Sequence, residues 1–296
     1  MFRILAVALV CGLALTTSPR VTRAQSAPTA GQRVVLVTGS TSGLGREVAL
    51  RLGGDGWHVI VHGRSVERGE EVTGEIRAAG GSARFYRADF TRLEEVRTLA
   101  ADILRDYDRL DVLVNNAGFG SAPNERLVSD DGHEFRFQVN YLAPFLLTHE
   151  LLPLLRSSTP SRIVNVSSLA QSPIDFDDVM IERDFSGGRA YGQSKLAQIM
   201  HTFDLHAEVG DEGILVSALH PATYMDTGMV RRAGVTPRAT VDEGAEAVLQ
   251  LVLEDVEGGQ FFRGLEPARA NDQAYDEQAR ARLRRLAEEL TGISGP

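Results

Sequence analysis

The sequence predicts an α/β fold in which one doubly wound parallel β-sheet carries helices on both faces. From Gln32 onward, short apolar, β-branched runs alternate with longer segments of helical periodicity. The runs have no polar face, as expected of strands that helices cover on both sides. Such alternation over about 260 residues, without a repeat or a low-complexity linker, favours a single domain of the Rossmann type.

Seven apolar runs mark the predicted strands, and each of the first six precedes a helical pattern. In chain order the runs are RVVLVTG, WHVIVHGR, ARFYRAD, LDVLVNNAG, SRIVNVSS, GILVSALHP and GQFF. The third helix, TRLEEVRTLAADILRDY, is predicted to begin with a capping box formed by Thr91 and Glu94. Later helices are expected at about 132–155, around Lys195, at about 241–253 and at about 272–290.

Composition excludes several classes of function. A net charge of −9 argues against nucleic acid, which would require a basic face. The single cysteine, Cys11, lies in the apolar N-terminal segment, so the folded body has no disulfide, thiol nucleophile or thiolate metal site. The seven histidines show no metal-ligand spacing, and no metal site is predicted.

Residues 1–30 are predicted to lie outside the fold, with residues 31–296 forming one nucleotide-binding domain. Arg3, the apolar run Ile4–Leu15 and candidate cleavage sites after Ala24 or Ala27 are typical of a secretory signal peptide. The run is short for a membrane span, which needs about 20 residues. Two alternatives stay open, an uncleaved membrane anchor and an over-extended start. Export and anchoring fit the pattern, whereas nucleotide chemistry favours a cytoplasmic catalytic domain.

A glycine-rich stretch after the first strand predicts a dinucleotide site. In TGSTSGLG, Gly39 allows a tight turn, Gly43 lets the backbone approach a pyrophosphate, and Gly45 permits close packing of helix on strand. The amides and the positive end of the following helix would then face the phosphates. The candidate cofactor contacts in this stretch are Thr38, Gly39, Ser40, Ser42, Gly43, Leu44 and Gly45.

The end of the second strand predicts which dinucleotide binds. An acidic residue there would bind the adenine ribose hydroxyl and select NAD. Arg64 stands there instead, and a guanidinium can pair with a 2′-phosphate through two hydrogen bonds. The alternative is an ordinary surface arginine in an arginine-rich chain. The residue type favours NADP(H), with NAD(H) as the second choice.

Tyr191 and Lys195 predict acid–base chemistry. They are four residues apart in a helical pattern, so their side chains share one face. A nearby ammonium and a cationic nicotinamide would both favour the phenolate and lower the tyrosine pKa toward neutrality. Lys195 is the only lysine among 31 basic residues. A compact ammonium that can exchange a proton explains why arginine does not replace it.

The order of these motifs resembles the short-chain dehydrogenase/reductase family over about residues 32–292. The matching features are the glycine-rich stretch, Asp89 after the third strand, NNAG, the helix of Asn140, Ser168, and Tyr191 with Lys195. IDFDD, RAYGQSKLA and RLAEELTGI are most similar to its retinol-dehydrogenase-like branch. The 22 residues between Ser168 and Tyr191 also fit that branch and are expected to form part of the substrate wall.

The resemblance implies a catalytic tetrad. Tyr191 would be the general acid or base, Ser168 would hold the substrate oxygen, and Asn140 would hold a relay water. Lys195 would lower the tyrosine pKa and bind the nicotinamide ribose. The remaining implied cofactor contacts are Asp89 and Phe90 at the adenine, Asn115, Asn116, Ala117 and Gly118 along its ribose, and Pro221 and Thr227 near the carboxamide. The family usually has Pro-Gly after the sixth strand, whereas Ala222 follows Pro221 here, so the chain departs from the family pattern beside the carboxamide contact.

The sequence therefore predicts an NADP(H)-dependent oxidoreductase that interconverts a lipophilic alcohol and an aldehyde or ketone. Homo-oligomerisation is expected from the resemblance, and membrane association would occur through the N-terminal segment. A rival interpretation is a regulatory protein that senses NADPH without turnover, although a sensor has no need of all four tetrad groups. A third is an NAD-linked dehydrogenase acting on a sugar or a sterol.

Overall fold

The computed structural model describes residues 27–293, and the sheet in it has eight strands. The strands are β1 Val34–Val37, β2 His58–Gly63, β3 Ser82–Arg87, β4 Val112–Asn115, β5 Ser161–Val166, β6 Ile214–His220, β7 Phe261–Arg263 and β8 Glu266–Ala268. Their spatial order is β3-β2-β1-β4-β5-β6-β7-β8. The first seven pair in parallel, and β8 pairs antiparallel with β7.

Nine helices accompany the sheet in the described residues. They are α1 Gly43–Gly54, α2 Val66–Ala78, α3 Leu93–Asp106, α4 Phe135–Phe137, α5 Ala143–Ser157, α6 Gly187–Val209, α7 Gly228–Arg232, α8 Val241–Leu253 and α9 Glu277–Thr291. A π-helical segment, Gln138–Leu142, joins α4 to α5. Short 3-10 turns follow α6 and precede α9.

Apolar side chains bury both faces of the sheet. On one face α1, α2 and α8 pack their apolar sides through residues such as Leu52, Ile76 and Leu251. On the other face α3, α5, α6 and α9 form the larger core around residues such as Phe145 and Met200. Strands β1, β2 and β4 are buried along their whole length, which explains why they read as continuous apolar runs. The predicted fold class, an α/β Rossmann sheet with helices on both faces, is confirmed.

The strand order places a crevice between two neighbouring strands. Chain progression reverses between β1 and β4, which lie side by side at the centre of the sheet. In open α/β sheets, ligands bind outside the carboxyl ends of the strands at such a switch point. The glycine-rich stretch follows β1 and NNAG lies at the end of β4, so both line this crevice.

Two local predictions need correction. The capping box of Thr91 and Glu94 is wrong, because α3 begins at Leu93 with Arg92 at its N-cap and no side-chain cap. The amide of Thr91 instead donates to Asp89 Oδ1, which sets the preceding turn. A capping box does form at α8, between Thr240 and Glu243. The sheet is also not wholly parallel, because β8 returns as a hairpin strand.

The predicted signal-like segment lies largely outside the described residues. Of residues 1–30, only those from 27 onward belong to the part of the chain that the structure describes. Within residues 27–293, no helix combines the length and the apolarity that crossing a bilayer would require.

Candidate active site

The glycine-rich stretch forms a tight loop between β1 and α1. Gly39 and Gly43 adopt φ of +65° and +54°, a region that favours glycine. A Cβ at Gly39 would lie 2.8 Å from the Cα of Ala117, and one at Gly45 would lie 2.3 Å from Nδ2 of Asn116. The glycines therefore allow this loop to pack directly against the NNAG segment. The predicted strand–loop–helix context is present.

Thr38 joins the two loops that line the crevice. Its Oγ1 accepts hydrogen bonds from the amides of Asn116 and Ala117, each at 3.0 Å. In return, Nδ2 of Asn116 donates to the Thr38 carbonyl at 2.8 Å. The side chain of Asn115 is buried and donates to Thr148 and Asn165 inside the core. Since both asparagine side chains are engaged by the protein, a cofactor contact here would come from the backbone at Ala117 and Gly118.

The end of β2 lies beside the turn after β3. Arg64 is 61% exposed, and its Nη1 lies 3.8 Å from Oδ2 of Asp89, another predicted cofactor residue. Phe90 stacks on His62 at a ring-centroid distance of 4.6 Å. His62 Nδ1 accepts a hydrogen bond from the Gly39 amide at 3.2 Å, and burial lowers the pKa of His62 to about 4. A neutral His62 thus links the glycine-rich loop to the predicted adenine region, a role that the sequence analysis missed.

Tyr191 and Ser168 meet at the carboxyl edge of the sheet. Ser168 follows β5 and is 7% exposed, and Tyr191 lies in the first turns of α6. A side-chain hydrogen bond between them lowers the pKa of Tyr191, but the larger effect of burial leaves that pKa above its ordinary value. The expected lowering is therefore absent in the free chain, and the phenol is protonated at neutral pH. Such a group can donate a proton to a substrate oxygen.

Lys195 lies one helical turn after Tyr191 and is 4% exposed. Its Nζ donates to the carbonyl of Val166 and to Oε1 of Gln198, both at 2.8 Å. Nζ is 5.9 Å from the ring centroid of Tyr191. Burial lowers the pKa of Lys195 to about 7. Because the ammonium is turned toward two carbonyl oxygens and is only partly charged at neutral pH, it does not offset the effect of burial on Tyr191.

Asn140 lies in the π-helical segment, beneath the loop that follows β4. Its Oδ1 accepts from the Phe119 amide at 2.7 Å, and its Nδ2 donates to the Phe119 carbonyl at 3.0 Å and to Oγ of Ser194 at 2.9 Å. Asn140 thus ties the NNAG loop to α6 next to Lys195. A Cβ at Gly118 would lie 3.4 Å from Asn140 Oδ1 and 3.6 Å from Lys195 Nζ. The four predicted tetrad residues are therefore close together at one edge of the sheet.

The segment after β6 crosses back toward the glycine-rich loop. Thr227 caps α7 by accepting from the amide of Val230, and its methyl carbon would lie 3.3 Å from a Cβ at Gly43. Two residues later, Met229 Cγ would lie 2.8 Å from a Cβ at Gly120. Thr227 consequently lies beside the glycine-rich loop, and its predicted contact with a carboxamide stays a prediction.

The segment 169–190 packs between α6 and the C-terminal part of the chain. Ile174 and Gln273 exchange two hydrogen bonds, from the Ile174 amide at 2.6 Å and to its carbonyl at 3.1 Å. Gln193 of α6 donates to the Val179 carbonyl at 2.7 Å. These bonds fix the segment that leads into Tyr191. Within residues 27–293, no group of three or more His, Cys, Asp or Glu side chains is arranged to hold a metal.

Comparisons with known proteins agree with this geometry. The family model described as short chain dehydrogenase matches residues 33–237. Human retinol dehydrogenase 13 is 33% identical over 288 residues, covering 89% of this chain and 86% of that protein. Retinol dehydrogenase 14 from Mus musculus is 34% identical over 291 residues, covering 88% of this chain and 86% of its own length.

Solved structures share the fold. An uncharacterized protein from Mycobacterium paratuberculosis is 30% identical with a TM-score of 0.76, covering 91% of this chain and 97% of that chain. A metagenomic short-chain oxidoreductase in complex with NADP is 26% identical with a TM-score of 0.62, and the match covers 79% of this chain and 96% of that chain. The predicted enzyme class, an oxidoreductase acting on CH–OH donors, is thus confirmed. The chain belongs to the short-chain dehydrogenase family, and within it is similar to the retinol dehydrogenases.

Proposed function

We propose that this enzyme is an NADP(H)-dependent oxidoreductase that interconverts a lipophilic alcohol and its aldehyde or ketone. The observation that carries the proposal is that Ser168, Tyr191 and Lys195 lie together at the carboxyl edge of the sheet, with Lys195 Nζ 5.9 Å from the ring centroid of Tyr191. We also propose that residues 31–296 act as one NAD(P)-binding domain. When bound, the nicotinamide supplies or accepts the hydride.

The protein's own part in the reaction is proton transfer and orientation. In the direction of reduction, Ser168 and the Tyr191 hydroxyl hold the carbonyl oxygen, and Tyr191 donates its proton as that oxygen gains negative charge. The raised pKa of Tyr191 supports this direction, since the phenol is protonated before the reaction. In the oxidative direction, Tyr191 would have to lose its proton first, which the added positive charge of a nicotinamide cation favours.

Arg64 supports the preference for NADP(H). Its guanidinium is exposed at the end of β2, where a 2′-phosphate of a bound cofactor would lie, and its contact with Asp89 is a loose 3.8 Å. An arginine without a tight ion pair can turn to a phosphate at little cost. The NADP complex of the metagenomic oxidoreductase supports the same choice.

Apolar side chains near the tetrad and the names of the relatives both support a lipophilic substrate. Phe119, Phe176 and Met180 are partly buried apolar side chains close to the tetrad or in the segment that leads into it. Retinol dehydrogenases are named for a lipophilic alcohol, and we infer a substrate of that chemical class. Membrane association and self-association stay predictions, and mass spectrometry of the natural N-terminus would decide between export, anchoring and a later start.

A carbonyl panel tests the proposal. The full chain is incubated with NADPH or NADH and with retinal, long-chain aldehydes, aromatic ketones, sterol ketones and sugars, and cofactor oxidation is followed at 340 nm. We expect NADPH oxidation with the lipophilic aldehydes or ketones. Binding of NADPH without oxidation across the panel would support the sensor interpretation instead, and preferential NADH oxidation with sugars or sterols would support the third.

A further inference from the structure

Gln198 occupies an unusual position for a buried glutamine. It is 3% exposed on α6, and its Oε1 accepts a hydrogen bond from Lys195 Nζ at 2.8 Å. Its Nε2 is buried and has no hydrogen-bond partner among the described residues. A buried donor without a partner costs folding free energy, so this side chain stabilises the fold less than a fully hydrogen-bonded amide would. What the position does provide is an oxygen at Lys195.

We propose that Gln198 is a positioning residue that holds the side chain of Lys195 beneath the crevice and stabilises its ammonium form. The proposal rests on the proposed function, because it concerns the same site. Gln198 lies three residues after Lys195, so both side chains share one face of α6. The second oxygen comes from the carbonyl of Val166 at the end of β5. Lys195 is thereby fixed from both the helix and the sheet.

The number of donors explains why the two oxygens matter. An ammonium has three N–H groups, and Val166 and Gln198 accept two of them. One donor is left for the crevice, on the side where Gly118 lies. A neutral amine has only two N–H groups, and both would be used by the same oxygens. Protonation of Lys195 therefore decides whether the crevice meets a donor or a lone pair.

Within residues 27–293, no carboxylate shifts the pKa of Lys195, for which burial is the one cause. Lys195 is surrounded by α6, the end of β5, the loop after β4 and the π-helical segment. Among the described residues, the nearest titratable ring with a known distance is that of Tyr191, 5.9 Å from Lys195 Nζ, and burial raises its pKa. The π-helical segment carries a second phenol, Tyr141, whose pKa burial also raises. Burial is also the cause that lowers the pKa of Lys195. The charge on Lys195 consequently depends on neutral oxygens, of which Gln198 supplies the only one from a side chain among the two recorded acceptors.

A chain of buried hydrogen bonds supports the backbone of Gln198. Its carbonyl accepts from Oγ1 of Thr202 at 2.8 Å, and Thr202 Oγ1 in turn accepts from Nδ2 of Asn165 at 2.9 Å. Oδ1 of Asn165 accepts from Asn115 Nδ2 at 2.9 Å. This chain fastens α6 to β5 and β4 at the turn that carries Gln198. The backbone that carries the Gln198 side chain is therefore fastened to three elements of the fold, α6, β5 and β4.

The single lysine of this chain allows a direct test. Lysine labelled with ¹³C at Cε, incorporated into the full chain with a lysine-free tag, gives one resonance from Lys195, and its pH titration is recorded for three variants. In Gln198→Glu a carboxylate replaces the amide, and we expect the midpoint to rise by at least about one pH unit. In Gln198→Met the acceptor is lost, and we expect the midpoint to fall by roughly half a unit or more.

Gln193→Met is the matched control. Gln193 is a second buried glutamine of α6, but it bonds to Val179 and Asp175 rather than to Lys195, so we expect no shift. Opposite shifts in the two Gln198 variants support the proposal, and one folded variant moving as expected suffices if the other fails to fold. An unmoved midpoint, or movement in the same direction in both, overturns it. Because the titration needs neither cofactor nor turnover, a failure of the proposed function stays distinguishable.

Discussion

Two basic side chains on helix α6 show how burial and hydrogen bonding differ in effect. Lys195 is buried beside two carbonyl oxygens, at 2.8 Å each. His201, further along the same helix, lies among the rings of Tyr141, Phe145 and His149. Its Nε2 is buried and has no hydrogen-bond partner in the described part of the chain. Burial lowers the pKa of both residues. The oxygens at Lys195 fit a charge, whereas the aromatic surroundings of His201 fit a neutral ring.

The largest expected effect on activity comes from replacing Lys195. In Lys195→Arg the charge is kept, but a larger planar guanidinium must fit a space that two oxygens and Gly118 enclose, and it does not deprotonate. We expect kcat for carbonyl reduction to fall by about a hundredfold or more. Turnover with NADPH and the best substrate of the panel measures this.

Lys195→Met separates charge from shape in the same assay. It removes the ammonium and keeps a long apolar side chain, and we expect a loss at least as large as that of Lys195→Arg. Thermal melts of both variants control for folding. If Lys195→Arg retained half of the wild-type kcat, charge alone would be sufficient, and the assigned role of the compact ammonium would be wrong.

The buried neutral rings of His201 and His149 are expected to make the folded protein less stable in acid. The folded pKa of His201 is well below its ordinary value, and that of His149 is lowered to about 4. Both rings must therefore charge on unfolding below about pH 6.5, so their stabilisation is complete above that pH and is lost as the pH falls toward 4. Within this window, each such histidine lowers the free energy of unfolding by about 1.4 kcal/mol for every pH unit of acidification.

His201→Phe tests that contribution. We expect the loss of unfolding free energy between pH 7 and pH 5 to shrink by about 1–2 kcal/mol, measured by urea unfolding at both pH values. Five other histidines also have a lowered pKa and maintain the rest of the acid sensitivity, namely His58, His62, His133, His149 and His220. An identical loss in wild type and variant would show that His201 does not titrate with unfolding.

The smallest effect is expected at an exposed basic residue. Arg64 lies in solvent, so neither burial nor a fixed geometry determines its role. Arg64→Asp should raise the Kd of NADPH relative to that of NADH by about tenfold, since a favourable phosphate contact becomes a repulsion. Arg68→Asp makes the same charge change at an exposed position in the first turn of α2. If both variants changed the ratio equally, general charge rather than Arg64 would select the cofactor.

Much of the fold was predictable because it depends on local patterns. The buried strands give unbroken apolar runs, and the alternation with helices fixes a parallel sheet and its crevice. Tyr191 and Lys195 were recognisable because an i, i+4 pair on a helix shares a face. Ser168 and NNAG were placed by the rule that strand ends meet at one edge of the sheet.

The remaining features depend on contacts between distant segments. The box of Thr91 and Glu94 does not form because α3 begins only at Leu93 and the Thr91 amide donates to Asp89 instead. The eighth strand turns back and pairs antiparallel with β7. The lowered pKa of Tyr191 was expected from charge alone, but burial prevails in the free chain. Gln198 could have been found as the i+3 neighbour of Lys195, yet its role required knowing that the helix face at that point is buried.

The central claim is that Tyr191 transfers the proton at this site. Comparing wild type and Tyr191→Phe for NADPH oxidation with the best carbonyl substrate, together with NADPH affinity by fluorescence, tests it most directly. We predict that turnover is abolished while the Kd of NADPH stays within about threefold of the wild-type value, because the aromatic ring remains and only the hydroxyl is lost. Full retained turnover in Tyr191→Phe would contradict the claim.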